Sequence, residues 1–598
     1  MQTPINFRIP IESEGLQVNF CKNPVCPNFG RPASVERQPR GINNKGLNRD
    51  TYVVNGKPGK LEIKCERCGE YPPIKSNLAI REEIERFSDY LTVVQEPSCP
   101  YTSCDNNVVG ISTPKAYISY GTTRSGSQRY RCQLCNKTFA VSYNPTFQQK
   151  LPEVNVLVFR LLVNKMPLNR ICETANITMD TLYRKIEFIH KQCLAFAATH
   201  ERRIPEMDIP RLYLSVDRQD HIVNWGRAGD KRNIKLSALG TADNKTSYVF
   251  GIHVNYDPDI DANKVERDAE QIGDNDLRLP FRRYARVWLK KDYEDALEKN
   301  PSLRAEKRRL RDSIEDGYAE AIKRDDVESA DIQTVETSLP YKGRLVHSDY
   351  TLYGHFFFFR KLFANVGKVR FYLDQESGIR AACLSAFWVE VLAKRCDAFY
   401  VRVKKEQTIN QKRRLLAESK RALADFRASS ASYEPLTDYD LRHIVVKDRL
   451  RDLVDIGKWH DRWLFYPFPD MSEPEKAICW LTNLYDRAYD DDHLAHLYSK
   501  ATLHGIDRFF MQVRRRLSLL ERPISSANSE GRKWYGYSPY NPAMVGKLLD
   551  IFRVYYNFVE VGKDKKTPAM RLGLAEGFVT ATDILLMANA IPWAKERL

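Results

Sequence analysis

The chain has 598 residues, with 93 Lys or Arg against 77 Asp or Glu, a formal net charge of +16 and a pI of about 9.1. Its 43% hydrophobic and 11% aromatic content excludes a largely disordered protein, and it has no apolar run of the ~18 residues needed to cross a bilayer. The length suits about three to five domains, and the positive excess points to a polyanionic partner, nucleic acid first.

The N-terminal stretch MQTPINFRIPIESEG has no basic segment followed by an apolar one, so no secretory signal is expected. The thirteen cysteines are then expected in a reducing compartment, where they favour metal over disulfides. Eight of them form a repeat. Cys21 and Cys26 precede Cys65 and Cys68, and Cys99 and Cys104 precede Cys132 and Cys135. Each set reads C-x4-C, a gap, then C-x2-C. Two short turns carrying two thiolates each supply the four soft ligands of a tetrahedral zinc. Such ribbons bury little core, so the metal provides much of their folding free energy. Two structural Zn²⁺ ions are expected. Residues 120–130, YGTTRSGSQRY, read as two strands around a Gly/Ser turn in the second ribbon. Cys172, Cys193, Cys383, Cys396 and Cys479 show no pairing and read as buried free thiols.

Residues 154–193 carry three short amphipathic stretches. Val156, Val158, Leu161 and Leu162 mark the first helix, and Leu168 to Ala175 the second. Thr178 is placed to cap a third that runs to about Cys193, with Leu182, Ile186 and Ile189 as its buried stripe. This is helix-turn-helix spacing. Thr181, Tyr183, Arg184 and Lys185 fall near the start of the third helix, where a recognition helix meets base edges and phosphates. An ordinary three-helix bundle has the same periodicity.

From residue 211 the pattern turns to strands. LYLSVD (212–217), NIKLSALGTAD (233–243) and SYVFGIHVNYD (247–257) read as a meander. GRLVHSD (343–349) reads as a strand leading into an aromatic helix, VRFYLD (369–374) as a strand, SGIRAACLSAFWVEVLA as a helix and DAFYVRV (397–403) as a strand. Three strands, helix, strand, helix, strand is the order of a ribonuclease-H-like fold. There the first and fourth strands are neighbours, so Asp217 and Asp374 at their ends should meet. A third acid is expected from the helix within 501–521, where Leu503, Ile506, Phe510, Val513, Leu517 and Leu520 form one stripe. Asp507 flanks that stripe, and Arg514 lies two turns on along the same side. Three converging carboxylates suit hard, oxygen-seeking Mg²⁺ or Mn²⁺. Two such ions are used in phosphodiester displacement, whereas a bare carboxylate cluster repels itself. Taken singly, each acid also fits a strand-end turn, a helix cap or a solvated charge.

These segments together resemble insertion-sequence transposases of the acidic-triad (DDE/D) class. SCPYTSC…YGTTRSGSQRYRCQLCNKTF resembles their zinc ribbon. HGIDRFFMQVRRRLSLLERPIS resembles their third-acid helix, with Asp507 followed seven residues later by Arg514. NPAMVGKLLDIFRVYYNFVEVGKDKKTPAMRLGLA resembles their closing helix. The resemblance spans about 92–203, 211–257, 343–403 and 500–575. It implies catalytic Asp217, Asp374 and Asp507 holding two divalent ions, with Thr181, Tyr183, Arg184, Lys185 and Arg514 on DNA. The implied partners are double-stranded DNA, as terminal inverted repeats and target, and further copies of the chain assembled on it. Many relatives have Glu as the third acid. Glu530 in SSANSEGRKWYGYS therefore rivals Asp507, and Asp349 in VHSDYTLYGH rivals Asp374.

The expected organisation is a multidomain α+β protein. It comprises a first zinc ribbon and linker (1–91), a second ribbon (92–150), a helix-turn-helix (151–203), a ribonuclease-H-like core (204–558) and a tail (559–598). Helical insertions are expected at about 258–340 and 404–499. Residues 404–427 hold eight Lys or Arg against three Asp or Glu, a face suited to a DNA backbone or to solvent. Trp459, Trp463 and Trp480 suit a core more than base stacking. The activity expected is metal-dependent DNA cleavage and strand transfer by a cytoplasmic, nucleoid-associated protein without membrane contact. The alternative is a non-catalytic DNA-binding regulator derived from a transposase.

Overall fold

In chain order, the computed structural model opens with strands β1 (Tyr52–Asn55) and β2 (Glu62–Cys65) and helix α1 (Asn77–Ser88). Strands β3 (Tyr117–Thr122), β4 (Gln128–Cys132) and β5 (Thr138–Ser142) follow. Next come helices α2 (Asn155–Leu162), α3 (Leu168–Ala175) and α4 (Met179–Glu201). Strands β6 (Arg211–Val223), β7 (Ile234–Asp243) and β8 (Val249–Val254) precede helix α5 (Ser348–Leu362). Strand β9 (Lys368–Asp374), helices α6 (Ile379–Ala386) and α7 (Trp388–Leu392) and strand β10 (Cys396–Val403) come next. Helices α8 (Ile409–Ala428) and α9 (Asp438–Arg449) lead to strands β11 (Val454–Ile456), β12 (Asp461–Tyr466) and β13 (Lys476–Trp480). The chain closes with helices α10 (Asp491–Lys500), α11 (His504–Arg516), α12 (Pro542–Val554), α13 (Pro568–Leu572) and α14 (Ala581–Leu585) and strand β14 (Ile591–Trp593). The structure describes residues 7–36, 50–55, 61–92, 97–123, 127–142, 144–146, 149–223, 233–298, 338–376, 378–404, 407–457, 461–483, 489–521, 524–525, 533–534, 541–587 and 591–593. No helix among them is long and apolar enough to cross a membrane.

The chain divides into two units. One comprises Met1–Phe87, Pro205–Gln512 and Ser538–Gly546, and the other Ser88–Ile204, Val513–Tyr537 and Lys547–Leu598.

The first unit is built on a mixed sheet of order β11-β12-β13-β10-β9-β6-β7-β8. β6, β7 and β8 form the antiparallel meander read from the sequence. β9 lies parallel to β6, and β10 parallel to β9. Every residue of β8 and all but one of β7 are buried, as expected for strands covered on both faces. On one face, α5 packs its aromatic run. Gly251 leaves room for Phe359, and Phe356 meets Phe371 edge to face at 5.5 Å. Almost every residue of α5 is buried. An aromatic helix apolar all round is stable only between two layers, and α1 is its second neighbour, with Glu83 and Phe87 against Gly354. On the other face, Tyr372, Phe399 and Val401 join Leu441, Ile478, Tyr498 and Leu503 in one core cluster.

The 404–499 insertion is not purely helical. After α8 and α9 it supplies β11, β12 and β13, which extend the sheet antiparallel from the edge of β10. Trp463 is fully buried on β12, and Trp480 stacks on Phe399; both serve packing. Trp459 lies outside the described residues. The 258–340 insertion includes helices Ala262–Gln271 and Lys290–Glu298, and its residues 299–337 also lie outside. The predicted strand 343–349 shrinks to Arg344–Leu345, paired with Tyr256–Asp257, because α5 already begins at Ser348.

The second unit holds a sheet of order β14-β5-β4-β3. The chain's last described strand thus pairs with β5, Ile591 opposite Ser142. Helices α2, α3 and α4 follow with the predicted boundaries at their starts. Asn176 ends α3 in the left-handed conformation, φ 50°, a common way to stop a helix. The Thr178 side chain caps α4 by accepting the Thr181 N–H, and Leu182, Ile186 and Ile189 are fully buried.

Candidate metal centres

Two four-cysteine clusters and one carboxylate cluster stand out. The ligand atoms in each lie within 4.8 Å of one another. In the first cluster Cys21 Sγ is 3.4 Å from Cys68 Sγ, and Cys26 Sγ is 3.7 Å from Cys65 Sγ. In the second, Cys99 pairs with Cys135 at 3.6 Å and Cys104 with Cys132 at 3.7 Å. A disulfide holds its sulfurs at about 2.05 Å. Four sulfurs each about 2.3 Å from one tetrahedral zinc sit roughly 3.8 Å apart. The observed spacing fits the metal and not the disulfide.

The two clusters share their surroundings as well as their spacing. Tyr52 on β1 accepts the Cys21 N–H through its hydroxyl, and Tyr117 on β3 does the same for Cys99. Each hydroxyl also donates to carbonyls of its knuckle, Arg31 at 2.7 Å and Asn106 at 2.6 Å. Two residues past the second cysteine stands an asparagine whose amide reaches the third sulfur: Asn28 to Cys65 at 3.1 Å, Asn106 to Cys132 at 3.3 Å. Gly69 and Asn136 follow the fourth cysteines, both with positive φ. These asparagines and tyrosines are part of the repeat, and spacing of cysteines alone did not find them. Both sets fit zinc by donor chemistry and geometry. The five other cysteines are free thiols, four of them buried.

The carboxylate cluster joins Asp217, Asp374 and Glu376. Val216 on β6 is in register with Leu373 on β9, so the next residue on each parallel strand places the two aspartates side by side. Asp217 Oδ1 accepts the Arg218 N–H at 2.8 Å, and Asp374 Oδ1 accepts the Gln375 N–H at 2.9 Å. Glu376, just beyond the strand, was not among the residues singled out from the sequence. The chain bends at Gln375, the Glu376 N–H donating to the Asp374 carbonyl at 2.8 Å, and a second acid two residues past Asp374 in the D-Q-E run was the available signal. Arg218 Nη2 lies 3.1 Å from Glu376 Oε2. Burial pushes the Glu376 carboxyl up to about 8; Arg218 opposes the rise, while Asp374, Asp217 and Asp220 add to it. An all-oxygen set of this kind fits a hard divalent cation.

Asp507 lies in the first turn of α11 and is not one of these three. Its helix is docked close by. Ile506 N–H donates to Ser215 Oγ at 3.0 Å, and Gly505 N–H to Asn244 Oδ1 at 3.0 Å. Ser215 is two residues before Asp217 on β6 and therefore faces the same side of the sheet. Gly240 is opposite Asp217 on β7 and makes room for Ile506 and Phe510. Glu530 lies outside the described residues. Asp349 does not end a strand: it sits in the first turn of α5 and pairs, buried, with Lys75. That partner removes it as a rival to Asp374.

On α4, Arg184 is exposed and pairs with Asp180 at 3.0 Å, while Thr181 and Tyr183 are half-buried. Lys185 departs from its expected role. It is buried, and its ammonium donates to the carbonyls of Lys150 and Leu151 at 2.6 and 2.7 Å. Burial lowers its pKa. Lys185 therefore ties the preceding loop to the helix instead of meeting a groove. Arg514 is half-buried on α11.

No protein-family model matches the chain, and no curated protein matches it either.

Proposed function

We propose that this protein is a DNA transposase of the acidic-triad class. It binds the ends of a mobile element, hydrolyses a phosphodiester to free a 3′-OH, and directs that hydroxyl at target DNA. The observation that carries this reading is the meeting of Asp217 and Asp374 on adjacent parallel strands, carboxylate atoms within 4.8 Å. The order β8-β7-β6-β9-β10 within the larger sheet supports a ribonuclease-H-like core, and helices α2, α3 and α4 support a helix-turn-helix.

Two divalent ions at such a site would activate the attacking oxygen and neutralise the leaving one. The chain's own part is positioning. Asp217 and Asp374 each accept a backbone N–H, from Arg218 and Gln375, which orients the two carboxylates toward the shared cluster. Glu376 adds a third carboxylate, balanced by Arg218. Helix α11, anchored through Ser215 and Asn244, carries Asp507 in its first turn outside the three-carboxylate cluster, and we assign it the role of a further acid once DNA and metal are bound. Exposed Arg184, with Thr181 and Tyr183 beside it, and the basic face of α8 supply contacts to bases and phosphates. Joining two element ends calls for at least two copies of the chain on DNA.

The test is an oligonucleotide carrying an element end, incubated with Mg²⁺ or Mn²⁺. Cleavage and joining are expected from the parent protein. Asp217→Asn and Asp374→Asn should each reduce both to background while DNA binding persists. Joining by either variant removes that residue from the site. Binding without any metal-dependent cleavage by the parent would favour the regulator reading instead.

A further inference from the structure

The first cysteine cluster belongs to the same unit as the acidic site, whereas the second cluster belongs to the other. Its contacts run toward the helices that follow the acids. Glu70 is buried next to the fourth ligand Cys68. One of its oxygens accepts the Lys22 N–H at 2.7 Å and lies 3.3 Å from the Cys21 sulfur. Its other oxygen faces Arg380 Nη1 at 4.0 Å. Arg380 is the second residue of α6, and α6 begins three residues after Glu376. The next helix is held by shape. Gly30, at φ +75°, lies so close to the Trp388 ring that a Cβ would stand 2.1 Å from it. Phe20, one residue before Cys21, meets Trp388 edge to face at 6.2 Å. Past the cluster, Lys75 pairs with Asp349 at the start of α5, and Ser76 N–H reaches the Tyr350 hydroxyl at 3.4 Å.

We propose that the first four-cysteine cluster is a brace for the acidic centre, acting through Glu70 and Arg380 on the start of α6. A metal-held knuckle keeps Glu70 and Phe20 in place. These in turn hold Arg380 and Trp388, and so fix the start of α6, three residues after Glu376. Glu70 and Arg380 are positioning residues, not ligands. The inference rests on the reading above that the three carboxylates take up divalent cations. It gives the first ribbon a role in metal loading of the core rather than in DNA contact.

The test uses the full zinc-loaded chain and Mn²⁺ titration followed by electron paramagnetic resonance. Replacing a residue that orients metal ligands typically costs 10–100-fold in affinity. Arg380→Met and Glu70→Gln are accordingly expected to weaken Mn²⁺ binding about tenfold or more, with zinc content unchanged and with recovery in Arg380→Lys. Arg451→Ala, at an exposed position beyond α9, should leave Mn²⁺ affinity as in the parent. If Arg380→Met does not fold, Phe20→Leu, which alters no polar group, carries the same expectation. Parent-like Mn²⁺ affinity in Arg380→Met, Glu70→Gln and Phe20→Leu overturns the brace. Failure of the underlying reading looks different: Asp217→Asn would itself leave Mn²⁺ affinity unchanged.

Discussion

Val216 and Leu373 face each other across two parallel strands, and the residues that follow them, Asp217 and Asp374, share a carboxylate cluster with Glu376. Strand register thus brings together acids more than 150 residues apart in sequence. Glu376 joins them because the chain bends at Gln375 just past β9, where the Glu376 N–H donates to the Asp374 carbonyl at 2.8 Å. If it is a ligand, Glu376→Gln should weaken Mn²⁺ binding about tenfold or more, and cleavage should fall with it. Asp507→Asn is expected to leave the first Mn²⁺ in place and to weaken the second. Isothermal titration of both variants decides this; unchanged affinity in Glu376→Gln would return the third position to Asp507 alone.

The paired amides of the two cysteine clusters make a second prediction. Asn28 and Asn106 each donate to a ligand sulfur. A thiolate that accepts a hydrogen bond is stabilised as a ligand, and loss of such a partner commonly costs roughly 10–100-fold in metal affinity. Asn106→Ala should therefore release zinc from the second cluster to a competing chelator earlier than the parent does, and Asn28→Ala should do so from the first. Parent-like release from both would mean that the repeated amide is incidental to metal binding.

A buried histidine pair predicts how stability follows pH. His355 on α5 lies 2.7 Å from Thr241 Oγ1 and 2.8 Å from His253 Nδ1. Burial lowers its pKa to about 3. Unfolding frees the imidazole to bind a proton wherever the pH lies between that value and the ordinary 6.5. The unfolded state then holds more protons, so stability is full above about 6.5 and falls as pH drops toward 3, by a few kcal/mol at most. His355→Gln keeps a partner for Thr241 but does not titrate. Urea unfolding at pH 4 to 8 should show the parent's advantage over the variant shrinking as pH falls. A constant difference would show that His355 is not the titrating group.

Much of this architecture was legible in the sequence. Cysteine spacing identified both clusters, because a tetrahedral ion needs two close pairs and little else. The meander and the three helices α2, α3 and α4 showed because their apolar periods are two and near 3.6. The acids at 217 and 374 showed because they end apolar runs. What was missed depended on partners distant in the chain. Lys185 reads as a groove contact until the carbonyls of Lys150 and Leu151 are seen to occupy its ammonium. Asp349 reads as a strand-end acid until Lys75 is found beside it. Strands β11, β12 and β13 were hidden in a segment dominated by the charged helices α8 and α9.

The contrast between neighbours on α4 is itself testable. Lys185→Met removes two charge-assisted bonds of a buried ammonium to the Lys150 and Leu151 carbonyls, at a cost of about 1–3 kcal/mol, and should lower the melting temperature while leaving DNA affinity per folded molecule unchanged. Arg184→Ala, at an exposed position, should leave melting nearly unchanged and weaken binding to an element end. The reverse pattern in calorimetry and binding isotherms would return Lys185 to the DNA surface.

Helix α8 provides the remaining prediction. Among its described residues only Leu423 is fully buried. Arg413, Lys420 and Arg421 are exposed and lie on one outward side with Ala417 and Ala424. The exposed acids lie to one flank: Glu418 is paired with Arg414 at 2.8 Å, and Asp425 is about two turns further on. A face of small residues flanked by cations lets a helix approach a phosphate backbone closely. Each phosphate contact adds about 0.9 to the slope of log affinity against log salt. Converting Arg413, Lys420 and Arg421 to Glu should therefore reduce that slope by about 2 to 3 and weaken binding to specific and random duplexes alike. Because these side chains contribute little to the core, melting should stay within about 0.5 kcal/mol of the parent. An unchanged slope would leave α8 as a solvated surface and confine DNA contact to the other elements.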